Sequence, residues 1–184
     1  QLERVTGRLT WGRVLLGGSF TSFNGHPLNH VARLSINGQM DTAFNVGVGA
    51  DDTVNAIVVQ PDTRIVLVGQ FSHANGVSRS RITRLLPDGT VDPAINFGSG
   101  ADSYIAAVAL QPDGMMVIGG GFTSFDGQSR QHLARIYGGS ITGSGLFQFT
   151  SANFQADESS ANAVLTVRRS GGTAGNVTVD FTTE

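Results

Sequence analysis

The sequence contains no cysteine and no lysine. The absence of cysteine excludes disulfide bonds and thiol chemistry, and it leaves the redox compartment of the protein open. All 12 positively charged residues are arginines, against 14 acidic residues, and the formal net charge is −2. No basic stretch is present, so we expect no nucleic-acid partner. No apolar run approaches the roughly 18 residues of a membrane-spanning helix, so we expect no membrane insertion.

A repeat of 51 residues is the dominant feature of the sequence. An apolar run followed by glycine and then phenylalanine occurs three times, and the phenylalanines are Phe20, Phe71 and Phe122. Other features keep the same offset, among them the Asn75-Gly76 pair, which corresponds to Asn24-Gly25 in the preceding copy. Because the register is unbroken, each unit must present the same geometry to the next unit.

Within one unit the pattern predicts four antiparallel strands, over residues 54–60, 64–71, 81–86 and 91–97. The first two are nearly continuous apolar runs, which is typical of strands that are covered on both faces. Neighbouring sheets would supply that cover, and small residues such as Gly69 would let the sheets approach closely. Radially packed sheets with this period are β-propeller blades. The predicted fold class is therefore all-β, with β-propeller-like blades of about four antiparallel strands.

The chain holds about three such units, over residues 1–137. Closed propellers need about four to eight blades. Three arrangements therefore stay open: a piece of a longer protein, a ring completed by other chains, or an open solenoid. Residues 138–145 are rich in glycine and serine and are predicted to form a linker. Residues 146–184 begin a second β domain, with further strands predicted over residues 163–169 and 177–181.

The repeat resembles a known family through several motifs in register. They are Ile-Val-Leu-Val-Gly-Gln-Phe at residues 65–71, followed by Asn-Gly, Arg-Leu and Pro-Asp-Gly. Residues 14–137 resemble the delta-60 repeat of bacterial surface and secreted proteins, a family that is assigned a β-propeller. Kelch and regulator-of-chromosome-condensation repeats have similar lengths, but their motifs are not evident here. The resemblance implies a bacterial protein that is extracellular or lies at the cell surface.

The tail resembles a second family over residues 147–184. The residues that carry the likeness are 154–159, 164–172 and 177–184. They resemble the N-terminal half of a Calx-β domain, an immunoglobulin-like β-sandwich that is common in large adhesive or matrix proteins of bacteria. Some members bind calcium through acidic loop residues, and Glu158 lies where one family ligand falls. No cofactor is required, and calcium is the one ion that the resemblance implies.

Charged residues also recur at the repeat spacing. Arg33, Arg84 and Arg135 share one repeat position, and Asp41 and Asp92 share another. One interpretation is a ring of arginines that binds anions. The other is one arginine in each blade that braces turns or carbonyls, paired with the aspartate. We favour the second, because a catalytic or binding centre is normally built once, whereas a structural bond is built in every repeat.

The remaining candidate ligands are histidines and loop aspartates. His30 and His132 share a repeat position, but Arg81 occupies it in the middle unit, so surface histidines are expected rather than a metal site. Asp51 and Asp102 follow glycines in loops. Calcium takes about six to eight oxygen ligands, so turn residues are expected there, with cation ligands as the alternative.

We find no catalytic constellation and expect no enzyme activity. The leading hypothesis is a non-enzymatic extracellular structural or adhesive protein. It would assemble into a filament or cell-surface matrix through unpaired β edges, by self-association or by binding other surface proteins. The alternative is a propeller that recognises a glycan or protein, with specificity at residues 26–28 and 73–74. A hydrolase ranks last.

Overall fold

The computed structural model describes residues 5–10, 12–139, 146–149 and 167–170. Over these ranges the chain forms strands and turns without a helix, so none of them contains a helix that could cross a membrane. The predicted all-β class is confirmed. In chain order the strands are β1 Val5–Thr10, β2 Arg13–Gly18, β3 Ser22–Phe23, β4 His26–Pro27, β5 Val31–Leu34, β6 Val54–Val59, β7 Ile65–Gly69, β8 His73–Ala74, β9 Val77–Ser78, β10 Ile82–Leu85, β11 Ile105–Leu110, β12 Met115–Gly120, β13 Ser124–Phe125, β14 Gln128–Ser129, β15 Leu133–Tyr137, β16 Leu146–Phe149 and β17 Val167–Ser170.

Three units of the same design follow one another. The first unit contains β1–β5, the second β6–β10 and the third β11–β15. Each has a three-stranded antiparallel sheet, in the orders β1-β2-β5, β6-β7-β10 and β11-β12-β15, and a two-stranded hairpin. β16 pairs with β17 in a separate antiparallel ladder. The strands predicted over residues 163–166 and 177–181 lie outside the described residues.

The Asn-Gly pairs form the turns of the short hairpins. Asn75 and Gly76 have φ angles of 49° and 73°, and they connect β8 to β9. A two-residue turn with positive φ at both central residues matches the right-handed twist of the flanking strands, and asparagine followed by glycine tolerates it best. The corresponding pairs in the other two units have the same φ signs. The predicted loop at this position is therefore a tight hairpin.

The predicted fourth strand over residues 91–97 is reduced to one isolated bridge. Val91 pairs with Leu85, and the chain then turns. The backbone N–H of Ala94 donates to Oδ1 of Asp92 at 2.8 Å, and this side-chain bond starts the turn in place of a ladder. Each blade described here thus consists of three strands and a hairpin, rather than four strands in one sheet.

The central strand of the second unit is buried on both faces, as its apolar run predicted. Ile65 and Leu67 pack against the first unit, whereas Val66 and Val68 pack against the third. None of these side chains is more than 2% exposed. The hydrophobic core is accordingly divided into two clusters, which we call the first interface, between the first and second units, and the second interface, between the second and third.

Neighbouring atoms approach the glycines closely in two ways, either from the same sheet or from the next unit. A Cβ on Gly69 would lie 2.0 Å from the carbonyl oxygen of Thr53, which precedes the neighbouring strand of the same sheet. The predicted reason, contact between sheets, is therefore wrong for Gly69. It holds for Gly17, where a Cβ would lie 2.7 Å from the Val54 side chain of the next unit. Gly119 has ordinary space around it, since a Cβ there would lie 3.7 Å from the carbonyl oxygen of His132.

Candidate functional site

The arginine of the second unit crosses the second interface. Nε and Nη2 of Arg84 each lie 2.8 Å from Oδ2 of Asp92, which follows in the same unit. Nη1 of Arg84 donates to the carbonyl oxygen of Gly138 in the third unit at 2.7 Å, and that oxygen also accepts a bond from Gln60. The side chains of Arg84 and Asp92 are 3% and 1% exposed. This guanidinium is fully engaged and connects two units.

The arginine of the first unit makes the same bridge across the first interface. Nε of Arg33 donates to Asp41 at 2.8 Å, and Nη1 donates to the carbonyl oxygen of Pro87 at 2.5 Å. Its guanidinium also lies over the ring of Phe44, 4.4 Å from the centroid, which adds a cation–π contact. Pro87 and Gly138 occupy the same repeat position. In the first and second units, the repeated arginine thus bonds its own unit to the following one.

Among the residues that the structure describes, Arg135 in the third unit has no such partner across an interface. It donates to Gln111 at 2.6 Å and to Asp113, both in its own unit, and its side chain is 52% exposed. The position that corresponds to Asp92 is Gly143, which lies outside the described residues. The structure therefore brings Arg33 to Asp41 and Arg84 to Asp92, and it leaves Arg135 at the surface.

A second pair of repeated arginines was not predicted from the sequence. Arg13 and Arg64 are also 51 residues apart. Nε of Arg13 lies 3.2 Å from Oδ2 of Asp41, and Nε of Arg64 lies 2.9 Å from Oδ2 of Asp92. Asp41 and Asp92 therefore each have two guanidinium neighbours. The repeat offset would have found this pair, since Met115 at the third position is the only departure.

The environment of Asp92 fixes its charge. Burial alone would raise the pKa of the carboxyl group, but the Ala94 N–H hydrogen bond and the charges of Arg84 and Arg64 outweigh it and hold the pKa below its ordinary value. The pKa of Asp41 is lowered in the same way, with burial opposed mainly by the hydrogen bond from Arg33. Both carboxylates are therefore ionised whenever the protein is folded near neutral pH.

These lowered pKa values predict acid sensitivity. The unfolded chain binds protons on Asp92 at higher pH than the folded chain does, so the stability that this group contributes is present above about pH 4 and is lost as the pH falls through the folded pKa. We expect the free energy of unfolding, from urea titrations at a series of pH values, to fall below about pH 4. The fall should be shallower in Asp92→Asn, and an unchanged slope would contradict this assignment.

The loop aspartates anchor turns within their own units. Oδ1 of Asp51 accepts the N–H groups of Ser72 and His73 at 2.8 and 2.9 Å, and the Ser72 hydroxyl donates to Oδ2 at 2.6 Å. Asp102 accepts the equivalent bonds from Thr123 and the residue after it. For Asp102 these bonds, first that of the Thr123 hydroxyl, lower the pKa of the carboxyl group.

The part of the chain that the structure describes contains no cluster of metal-ligand residues. No group of three or more His, Cys, Asp or Glu residues is placed there to hold an ion. Glu158, the residue that the Calx-β resemblance points to, lies outside the described residues. Calcium binding at Glu158 therefore stays a prediction.

The position shared by His30, Arg81 and His132 is a backbone feature. All three have positive φ angles, of 65°, 70° and 62°. Nδ1 of His30 and Nδ1 of His132 lie 3.1 and 3.2 Å from the carbonyl oxygens of Gly18 and Gly120. Nη1 of Arg81 donates to the carbonyl oxygen of Gln70. Their side chains secure a strained turn, which any residue that tolerates this conformation and reaches a carbonyl can do.

Each interface also carries a shallow groove at the hairpin end of the units. The volumes are about 280 Å³ at the first interface and about 360 Å³ at the second. His73, one of the predicted specificity residues, lines the first groove, whereas Ala74 is buried and residues 26–28 do not line it. Both grooves are lined from the same repeat positions, in the pairs Asn29 and Ser80, Val48 and Ser99, Gly49 and Gly100, Ala50 and Ala101, Asp51 and Asp102, His73 and Ser124, and Gly76 and Gly127.

Comparison with known proteins matches the same three units. The family model described as "Domain of unknown function (DUF5122) beta-propeller" matches residues 12–44, 60–94 and 111–136, one segment in each unit. Together these segments cover slightly more than half of the chain. Searches of curated proteins and of solved structures found no match. With its three interlocked antiparallel units, the chain belongs to the DUF5122 beta-propeller family.

Proposed function

We propose that this protein is a non-enzymatic structural or adhesive module of the bacterial cell surface or extracellular space. The observation that carries the proposal is repetition: the Arg–Asp pairs, the aspartate-anchored turns and the grooves each occur in at least two units. A reaction centre needs its groups assembled once, in one geometry. Bonds that recur from unit to unit serve the architecture instead, and an architecture that can be extended suits a structural role.

Open sheet edges support assembly through β pairing. Beyond the three-stranded sheets, β5 and β10 each carry one isolated bridge on their outer side, at Leu34 and Leu85. The corresponding partner of β15 falls at residue 142, outside the described residues. A strand that is paired at one point leaves N–H and C=O groups available to another chain. Self-association, or pairing with other surface proteins, is the expected result.

The proposal also includes the type of repeat, the domain type of the tail and its calcium ligand. The repeat motif supports a delta-60-type propeller, and the motif at residues 154–184 supports the first half of a Calx-β sandwich with Glu158 as a calcium ligand. Both families occur in bacterial surface proteins, which supports an extracellular location. Calcium would stabilise the tail without taking part in a reaction.

Light scattering of the intact chain tests the structural role. We expect the mass-average molecular weight to rise with protein concentration, because surfaces left open by one copy are satisfied by another. Addition of calcium should leave this behaviour in place, since residues 12–139 supply the associating surfaces. A mass equal to that of one chain at every concentration would contradict the proposal.

A ligand-binding propeller is the second candidate, favoured by the two equivalent grooves. Their volumes lie near the lower end of small-molecule pockets, about 300–1,000 Å³, and serine hydroxyls and a carboxylate line the second groove, where they would suit a hydroxylated ligand such as a glycan. A glycan array probed with the intact chain should give hits that Ser124→Ala, at the second groove, weakens. An array without hits would remove this candidate.

A further inference from the structure

We propose that the groove at the second interface binds a sugar acid, that is, a hydroxylated molecule that carries one carboxylate. This inference rests on the second candidate function, a ligand-binding propeller, and it narrows that candidate to one groove and one class of ligand. The groove has a volume of about 360 Å³ and lies between the second and third units. The side chains that carry the inference are those that differ between the two grooves.

The two grooves share a common frame. Glycine, alanine and aspartate recur in it, at residues 49–51 in the first groove and residues 100–102 in the second. A Cβ on Gly49 would lie 2.2 Å from the carbonyl oxygen of Asn29, and the equivalent distance at Gly100 is also 2.2 Å. Packing between the units therefore fixes the frame. The other lining positions vary, and a binding centre, which needs its groups only once, can be built from them.

The variable positions of the second groove carry hydroxyl groups. Ser99 occupies the position of Val48, which is 66% exposed in the first groove, and Ser124 occupies the position of His73. Ser80 replaces an asparagine. Within the described part of the chain, the side-chain hydroxyls of Ser80 and Ser99 make no hydrogen bond to another residue. Because a serine hydroxyl both donates and accepts, these groups suit a ligand that carries hydroxyls of its own.

Arg81 gives the second groove a guanidinium group, at a position where the other two units have histidine. Its Nη1 donates to the carbonyl oxygen of Gln70, which holds the side chain in place. Its Nε and Nη2 make no hydrogen bond to any residue that the structure describes. In Arg84 the same two nitrogens hold the carboxylate of Asp92, at 2.8 Å each. Arg81 therefore offers the edge of a guanidinium that binds carboxylates.

Asp102 limits the ligand to a single carboxylate. It lines the same groove, and hydrogen bonds, first that of the Thr123 hydroxyl, hold the pKa of its carboxyl group below the ordinary value. It is therefore negatively charged near neutral pH, where it repels a second carboxylate and accepts hydrogen bonds from hydroxyl groups. Arg81 precedes β10 and Asp102 precedes β11, so the two charges come from different units. A sugar acid supplies a partner for each of them.

Equilibrium dialysis of the intact chain against radiolabelled D-glucuronate tests the inference. D-glucose, which lacks the carboxylate, and acetate, which lacks the hydroxyls, serve as the comparison probes. We expect D-glucuronate to bind at least about tenfold more tightly than either probe, because only D-glucuronate engages both Arg81 and the hydroxyl groups. The measurement counts bound ligand per chain, so it does not depend on whether the chain self-associates.

Variants that copy the other units keep the fold while they change the groove. Arg81→His should weaken D-glucuronate binding at least about tenfold at about pH 8, where histidine is neutral. It should fold, since His30 and His132 adopt the same positive φ. Ser99→Val copies the first groove and should weaken binding about threefold. Arg79→His is the matched control, because Arg79 donates to the carbonyl of the residue before it and does not line the groove.

The possible results separate this inference from the candidate function on which it rests. D-glucose or acetate binding as tightly as D-glucuronate would overturn the assignment of a sugar acid. Equal losses in Arg81→His and Arg79→His would overturn the assignment to this groove. If no probe binds but the glycan array gives hits that Ser124→Ala weakens, only this inference fails. If the array is empty as well, the ligand-binding candidate fails with it.

Discussion

Replacing Arg84 with alanine should lower the free energy of unfolding by about 3 kcal/mol, because it leaves the carboxylate of Asp92 in the core without its main partner. Asp92 is 1% exposed, and the Gly138 carbonyl would also lose a donor. Arg64 remains 2.9 Å away, which is why we expect the lower end of the range for broken buried ion pairs, about 3–5 kcal/mol. Urea titration followed by circular dichroism measures the change.

Arg135→Ala is the control, since it alters the same repeat position at the surface. This variant should lower the free energy of unfolding by less than about 1 kcal/mol, as is usual for exposed ion pairs. Both measurements belong at a protein concentration at which the chain sediments as a monomer, because association would add to apparent stability. Removing both members of the pair, in Arg84→Ala with Asp92→Ala, should cost less than the sum of the single changes. Equal losses in Arg84→Ala and Arg135→Ala would contradict the bridging role.

Ile82→Ala should also destabilise the protein strongly, by about 2–5 kcal/mol, because it opens a cavity in the second interface. Ile82 is 1% exposed and packs within the cluster that joins the second unit to the third. Truncation leaves a cavity at Ile82 because the third unit covers this face of the sheet and buries its side chains. Chemical denaturation of the purified variant gives the value directly.

Leu133→Ala provides the matched comparison at the equivalent position. With 63% of the residue exposed, truncation should change the stability of the monomer by no more than about 0.5 kcal/mol. The contrast between these two sites isolates the effect of a neighbouring unit, since the two residues occupy equivalent positions in equivalent strands, β10 and β15. A large loss at Leu133 in the monomer would show that another part of the same chain already covers this face.

The architecture could be predicted from the sequence because the same strand and turn signals recur in each repeat. The apolar run at residues 65–68 required cover on both faces, and the structure places neighbouring units there. Asn75-Gly76 predicted a turn, and its positive φ angles explain the choice of residues. The fourth strand was overestimated, since Ile95 and Phe97 are buried without being paired in a ladder. The Asp92-Pro93 dipeptide was the available signal of a turn.

The bonds between units were less predictable. Arg33 and Arg84 were predicted to brace turns or carbonyls, and their distant acceptors are backbone carbonyls, at Pro87 and Gly138. Every residue has a carbonyl, so sequence offers no signal for which one is used. The grooves at the interfaces were missed for a related reason, because each is lined by loops of two units. Only the stacking of the units brings those loops together.

The histidine positions show that a backbone requirement cannot be recognised from residue types alone. His30 and His132 were expected to be surface histidines rather than metal ligands, and the property that they share is a left-handed backbone conformation. Arg81 at the equivalent place looked like an exception and is in fact consistent, since its φ angle is 70°. Sequence patterns report residue types, and a conformational requirement that several types satisfy stays hidden until the backbone is known.

Electron microscopy of the purified chain is the most direct test of the central claim, that the repeated units form an architecture through which copies of this chain associate. The account predicts assemblies of more than one copy, which become more frequent as the protein concentration rises. Isolated single-chain particles at every protein concentration would contradict it.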